Sequence, residues 1–227
     1  HTALMAAAAN GHGAVLAMLV RNLANIDLPA RDGGTALSVA AWAGQLECVQ
    51  LLIRAGAKIE VRDARGYTPL MLAAYRDAAC VDALLRVGAR LEQRTPNEET
   101  AFMIAAWAGN IDAIDILAAR GARIAVADAS GETALSHAAR AGDLDTLRAL
   151  FLAGTPVDLP NVRGETALMI AAAEGHADGV DLLLRIGAEV EAQTVEGETP
   201  LVFAARTGEL ETTLQLLRAG ANIEARS

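Results

Sequence analysis

The sequence predicts an all-α fold, a solenoid of stacked helix–turn–helix units. Three observations predict it. Thr recurs at positions 2, 35, 68, 100, 133, 166 and 199, a spacing of 33 residues at every step but one, where it is 32. An Ala–Ala pair follows five and six positions after each of these Thr, and a Leu recurs at 19, 52, 84, 117, 150, 183 and 216. Hydrophobic residues make up 53% of the chain but aromatics only 3%, a composition suited to closely packed helices in small modules. A fixed period in this range denotes a repeat array. Its units cannot bury their apolar faces alone and do so jointly when stacked.

Each unit reads as helix, turn, helix, loop. The recurring Thr suits an N-cap, because its hydroxyl accepts from an orphan backbone N–H. Pro69 and Pro200 fall at the first helical position, where a missing N–H costs nothing. Gly11, Gly44, Gly109, Gly142, Gly175 and Gly208 end the first helix, since Gly tolerates a left-handed residue there. Acids such as Glu47, Asp112, Asp145, Asp178 and Glu211 open the second helix, at the positive end of its dipole. Gly56, Gly88, Gly121, Gly154, Gly187 and Gly220 close it. An extended loop then leads to the next Thr.

The T-[PA]-L…A-A…G…L-L…G-A pattern at this period resembles ankyrin repeats, and the resemblance covers essentially the whole chain. It implies short β-hairpin loops set at a right angle to each helical hairpin. It also implies a concave binding face made by the first helices and the loop tips. The chain is read as a single domain, 1–227, with repeats at 1–29, 30–62, 63–94, 95–127, 128–160, 161–193 and 194–227, the first and last incomplete. Arg outnumbers Lys heavily, Lys58 being the sole Lys, which points to a GC-rich bacterial genome.

Several positions break the pattern. The family's His three positions after the Thr is replaced by Met5, Ser38, Met71, Met103, Ser136, Met169 and Val202, read as alternative packing. The third repeat is one residue short, and Asp77 replaces its stop Gly, which predicts a tightened inter-helix turn. Leu23 replaces a closing Gly, which predicts that Asn22 takes the left-handed conformation. The loop Thr95–Glu99 lacks the usual D-x-x-G, so Pro96 and Asn97 are expected to form a different turn. The chain opens one residue before a Thr, closes inside a loop, and has no polar capping face. It is therefore read as a piece of a longer protein.

The net charge of −9 argues against nucleic acid as a partner, since nucleic-acid binders present basic surfaces. No apolar run reaches the ~18–20 residues of a membrane span. No signal-peptide pattern is present, and the reading is cytoplasmic. Cys48 and Cys80 are read as buried free thiols, because packed helices lie ~8–10 Å apart and a disulfide needs Cα atoms within ~7 Å. His12 and His176 match a G–H turn and are expected to bond locally, and His137 is read as a packed or turn residue. No phosphate loop, zinc motif or nucleophile elbow occurs. The sequence therefore predicts neither an enzyme nor a cofactor or metal site.

Both Trp and both Tyr fall on the face that the resemblance assigns to binding. Trp42, Tyr75 and Trp107 share one position, seven after the Thr, in repeats 2, 3 and 4, and Tyr67 precedes its Thr on the loop of repeat 3. Trp and Tyr are enriched at interface hot spots. Arg31, Arg65 and Arg76 accompany them against a single acid, Asp32. In repeats 4 to 7 the face is acidic, and Glu99, Glu132, Glu165 and Glu198 each precede a Thr, with Arg140 among them. Two readings of the Glu row are a solvated edge and a device for steering a partner. Likewise the three aromatics are either a structural ridge or a partner-binding patch.

The sequence thus predicts a monomeric protein-interaction module. Its hot spot comprises Arg31, Trp42, Arg65, Tyr67, Tyr75, Arg76, Glu99, Trp107, Glu132 and Arg140, and uncapped ends are the route to any oligomer. Two alternatives are an aromatic cage for a methylated cation or other small ligand, and a passive spacer in a longer array.

Overall fold

The computed structural model describes residues 2–224. Among the described residues, fourteen helices form seven antiparallel pairs. They are α1 (Ala3–Ala9) with α2 (Gly13–Arg21), α3 (Ala36–Trp42) with α4 (Leu46–Arg54), and α5 (Pro69–Arg76) with α6 (Ala78–Arg86). The series continues with α7 (Ala101–Trp107) and α8 (Ile111–Ala119), then α9 (Ala134–Ala141) and α10 (Leu144–Leu152). It ends with α11 (Ala167–Ala173) and α12 (Ala177–Arg185), and α13 (Pro200–Thr207) and α14 (Leu210–Arg218). Contacts divide the chain into two compact units, 1–123 and 124–227. In the first unit α1, α3, α5 and α7 pack in one row and α2, α4, α6 and α8 in another. In the second, α9, α11 and α13 form one row and α10, α12 and α14 the other.

The caps follow the repeat. The Thr hydroxyl accepts from the backbone N–H three residues on at Thr2, Thr35, Thr68, Thr100 and Thr133, at 3.1–3.4 Å. The residue at that third position returns the favour in some repeats. Thr133 N–H donates to Ser136 Oγ at 2.7 Å, and Thr68 and Thr166 N–H donate to the sulfurs of Met71 and Met169 at 3.5 Å. A hydroxyl or thioether thus supplies the acceptor that closes this turn. The same side chains are buried: Met5, Met71, Met103 and Met169 lie in the core. The Ala–Ala pairs are buried beside them in all but the last repeat, where Ala204 is buried and Ala205 exposed.

Departures from the repeat are resolved locally. Asp77 alone joins α5 to α6, with φ −150°, and its carboxylate caps α6 by accepting from Cys80 N–H at 2.8 Å. The one-residue deletion therefore removes the left-handed residue and the need for Gly together. Leu23, not Asn22, takes the left-handed conformation after α2, with φ 63° against −89° for Asn22. The bonds that close the helix, Leu23 N–H to Val20 O and Ala24 N–H to Leu19 O, require the left-handed residue at the position Leu23 occupies. Asn22 instead turns its side-chain amide back to Met18 O.

The Thr95–Glu99 loop is likewise not a different turn. Thr95 N–H donates to Glu99 O and Glu98 N–H to Thr95 O, the same pair of bonds that Asp63, Gly66 and Tyr67 make one repeat earlier. The Thr95 hydroxyl replaces the Asp carboxylate as acceptor for Glu99 N–H, and Glu98 occupies the Gly position with φ 63°. The expected β-hairpins are reduced to such turns. Among the described residues no strand forms, and one isolated bridge pairs Ala127 with Thr133. Each loop arm is too short to extend the ladder.

A second ladder runs along the loops. Carboxylates of Asp27, Glu60 and Glu92 accept from the backbone N–H groups of Lys58, Arg90 and Arg123 in the following repeat at 2.8–2.9 Å. Asp158 and Glu191 do the same for Glu189 and Asn222. At the intervening step Ala125 stands in the acid's place and Pro156, which has no N–H, in the donor's. Donor and acceptor are missing together, so neither is orphaned.

Candidate functional site

Trp42 and Trp107 end α3 and α7, and Tyr75 is the penultimate residue of α5. Seven residues after the N-cap is two helical turns, so all three lie on the Thr side of their helices, in one row. Trp42 stacks on Tyr75 with ring centroids 5.0 Å apart and planes 18° from parallel. Tyr75 meets Trp107 edge to face, at 6.1 Å and 64°. Both arrangements suit the aromatic quadrupole. The rings therefore form a ridge, yet Trp42 and Trp107 stay 47% and 60% exposed, so mutual stacking does not use up their surface.

The loop of repeat 3 forms the facing wall. Asp63, with a side chain only 7% exposed, anchors it. One oxygen accepts from the backbone N–H groups of Arg65 and Tyr67 at 3.0 and 2.8 Å, and the other from the Arg65 guanidinium at 3.1 Å. That guanidinium lies 4.9 Å from the centre of the Tyr67 ring, within cation–π range. The Tyr67 hydroxyl donates to Glu99 Oε2 at 3.3 Å, and Thr95 Oγ1 donates to the same oxygen at 2.8 Å. Burial, and then the charge and hydrogen bond of Glu99, raise the Tyr67 pKa above its ordinary value.

Ridge and wall enclose a concavity of ≈ 140 Å³. Trp42, Tyr67, Tyr75, Trp107 and Arg65 border it, so all four Trp and Tyr residues of the chain meet at one place. Buried Leu72 and Ile104 line it as well. An adjoining concavity of ≈ 220 Å³ shares Trp42, Arg65 and Leu72 and extends to Asp32 and Ser38. Arg31 and Arg76 are exposed, with no ion pair among the described residues. The sequence did not single out Asp63, Leu72 or Ile104. Asp63 carries a legible signal, as the first residue of D-x-x-G, while Leu72 and Ile104 look like ordinary core.

Glu132 and Arg140 belong to the 124–227 unit and form a cluster of their own. Glu132 is 9% exposed, and its Oε1 accepts from Arg140 and from Asn161 Nδ2, both at 3.1 Å. Arg140 also reaches Glu174 at 3.3 Å. Asn161 donates to Glu165 at 2.7 Å, Arg163 pairs with Glu165 at 2.8 Å, and Arg206 pairs with Glu198 at 2.6 Å. The Glu row is thus paired and largely withdrawn from solvent, not a solvated edge. The reason is its place beside the N-cap, where each side chain folds back toward loop and helix donors. Asn161, at the position of Asp63 and Asp128, is the residue that sequence reasoning missed here.

Cys48 and Cys80 are free and buried; burial, followed by the charge of a neighbouring acid, raises both thiol pKa values. His137 Nε2 lies 3.4 Å from Asp128, pinning helix to turn. Burial alone would raise the Asp128 pKa, but hydrogen bonds from Ser130, Glu132 N–H and His137 lower it overall. His176 does not bond locally: its ring meets Arg140 O, 36 residues away, at 3.0 Å, because the ring lies against the left-handed Gly142, where a side chain would collide. Among the described residues, no cluster of His, Cys, Asp and Glu could hold a metal, and no helix is long and apolar enough to cross a membrane.

Comparison with known proteins places these features. The family model for ankyrin repeats (3 copies) matches residues 1–63, 56–128 and 135–227. The ankyrin repeat domain of human ASB11 superposes with a TM-score of 0.88 at 26% identity, covering 98% of this chain and 99% of that one. That of Bcl-3, a member of the IkappaB protein family, gives 0.82 at 28% identity, covering 96% and 98%. Among curated sequences, the probable E3 ubiquitin-protein ligase XBOS31 of Oryza sativa subsp. japonica is 45% identical over 75 residues, 33% of this chain and 17% of its own. Protein phosphatase 1 regulatory subunit 12A of Mus musculus is 50% identical over 46 residues, 20% of this chain and 4% of its own. The chain thus spans less than a fifth of the length of either curated relative. Helix pairing, capping and these matches agree on an all-α ankyrin-repeat solenoid, and the chain belongs to the ankyrin repeat family, whose domains serve as protein–protein interaction modules.

Proposed function

We propose that this chain binds a partner protein on the face carrying Trp42, Tyr75 and Trp107, with the hot spot in repeats 2 to 4, and that it catalyses no reaction. The seven helix pairs are read as seven ankyrin repeats of one domain, in a cytoplasmic protein of bacterial source. Two reduced cysteines fit that compartment, and the Arg bias supports the source, although the relatives above come from rice and mouse. The observation that carries the function is the aromatic ridge. Two Trp about half exposed, beside a concavity with an apolar lining, are costly to leave in water and are the residue type on which interface energy concentrates.

The test is a Trp42→Ala, Tyr75→Ala, Trp107→Ala variant used in affinity capture beside the wild type. The expected result is loss of the captured partner with the far-UV circular dichroism retained. Unchanged capture would overturn the hot spot.

The four rings around one concavity also favour a second reading, an aromatic cage for a methylated cation. Against it, Trp42 and Tyr75 spend their facing surfaces on each other, and the Arg65 cation borders the same space. A trimethyllysine peptide that quenches Trp fluorescence at micromolar concentration would support the cage.

A further inference from the structure

We propose that the aromatic concavity receives an acidic segment of the partner protein, one apolar side chain entering the space bounded by Tyr67, Tyr75 and Trp107 and a neighbouring carboxylate pairing with Arg65. This rests on the function proposed above and assigns the chemistry of the partner.

The site leaves donors, more than acceptors, open to a partner. By formal charge four nearby acids, Asp32, Asp63, Asp77 and Glu99, outnumber three cations, Arg31, Arg65 and Arg76. By access the order reverses, three exposed cations facing one exposed acid. Asp63 is 93% buried by its side chain's 7% exposure, and its oxygens take two backbone N–H groups and the Arg65 guanidinium. Asp77 is occupied as the cap of α6. Glu99 accepts from two hydroxyls on one oxygen. Asp32 is exposed, with one oxygen held by Gly34 N–H.

The cations are presented outward instead. Arg65 is 66% exposed. Asp63 engages its Nε and Nη2, and the guanidinium has five N–H donors in a fixed fork. Tyr67 beneath it and Asp63 behind it hold that fork in place. A partner therefore meets oriented donors, while of the four acids only Asp32 is exposed to its Lys or Arg. Charge-assisted bonds from Arg to carboxylate are among the stronger polar contacts, and pre-orientation reduces the entropy lost on binding. A concavity of ≈ 140 Å³ with Leu72 and Ile104 in its lining has room for one aliphatic or aromatic side chain, not for a folded element.

The experiment is selection of a random twelve-residue peptide library on the full chain. The best peptide is then synthesised and titrated by the fluorescence of Trp42 and Trp107. Enriched peptides are expected to carry Asp or Glu next to a Leu, Ile or Phe. Arg65→Gln is expected to weaken the peptide at least tenfold, and so is changing the peptide's acid to its amide. The two changes together should lose little more than either alone. Arg65→Gln leaves Asp63 its two backbone donors, and circular dichroism confirms the fold.

Enrichment of basic or uncharged peptides, full binding by Arg65→Gln, or no enrichment would overturn the proposal. If binding needs the three ring residues but ignores Arg65, the site stands and the acidic partner falls. If binding ignores both, the site itself falls.

Discussion

Leu23 and Glu98 are the two non-glycine residues with positive φ among those described, both at 63°. The left-handed region costs an L-residue roughly 1–2 kcal/mol, and Leu gains nothing in return, being 93% exposed. Leu23→Gly should therefore stabilise the chain by about 0.5–1 kcal/mol, once the greater unfolded-state entropy of Gly is subtracted. Glu98→Gly should gain less, because it gives up the exposed pair with Arg94, the kind of contact worth about 0.2–1 kcal/mol. Urea titration checks both, the midpoint rising at constant slope. An unchanged or lower midpoint for Leu23→Gly would contradict the assignment of strain to that residue. The sequence marked both positions as anomalies, since each lacks the expected Gly. It did not reveal which neighbour would absorb the left-handed turn, because a propensity argument favours Asn22 while the hydrogen-bond register dictates Leu23.

At the scale of elements, the helices were legible almost residue by residue, because Thr, Ala–Ala and Gly each do one local job. The ties between loops were not. Their acids recur visibly, but the acceptor's target is a backbone N–H about 31 residues away, which has no side-chain signature. The break at Ala125 and Pro156 shows the logic of the tie. Restoring one side only should give little, since Ala125→Glu finds no donor and Pro156→Lys no acceptor. Ala125→Glu with Pro156→Lys should recover a coupling of about 0.5–1.5 kcal/mol, the net worth of a typical hydrogen bond. A double-mutant cycle in urea measures this, and strictly additive effects would deny that the two positions communicate. The change also falls just after Arg123, where the contact-defined units divide.

Across the whole molecule, that division bears on the reading of 1–227 as one domain. Both Trp lie in the 1–123 unit, so fluorescence reports that unit alone, whereas far-UV circular dichroism reports the helices of both. A single domain predicts coincident midpoints for the two probes during urea unfolding. A two-step dichroism curve, with fluorescence following only one step, would assign the units separate stabilities, as repeat arrays of limited cooperativity can show. The candidate site was legible in part. The shared register of Trp42, Tyr75 and Trp107 identified the ridge, and burial of the Glu row was missed because adjacency to Thr does not disclose Asn161 or the backward fold of the carboxylates.

The stacked rings have a mechanical consequence. With Trp42 and Tyr75 nearly parallel and their ring centroids 5.0 Å apart, α3 and α5 have little room to approach on that side, since stacked pairs reach a limit at ~4.5 Å. Spreading them only forfeits stacking, on the order of 0.5–1.5 kcal/mol for such a pair. The row therefore opposes closure of α3 onto α5 more steeply than it opposes their separation.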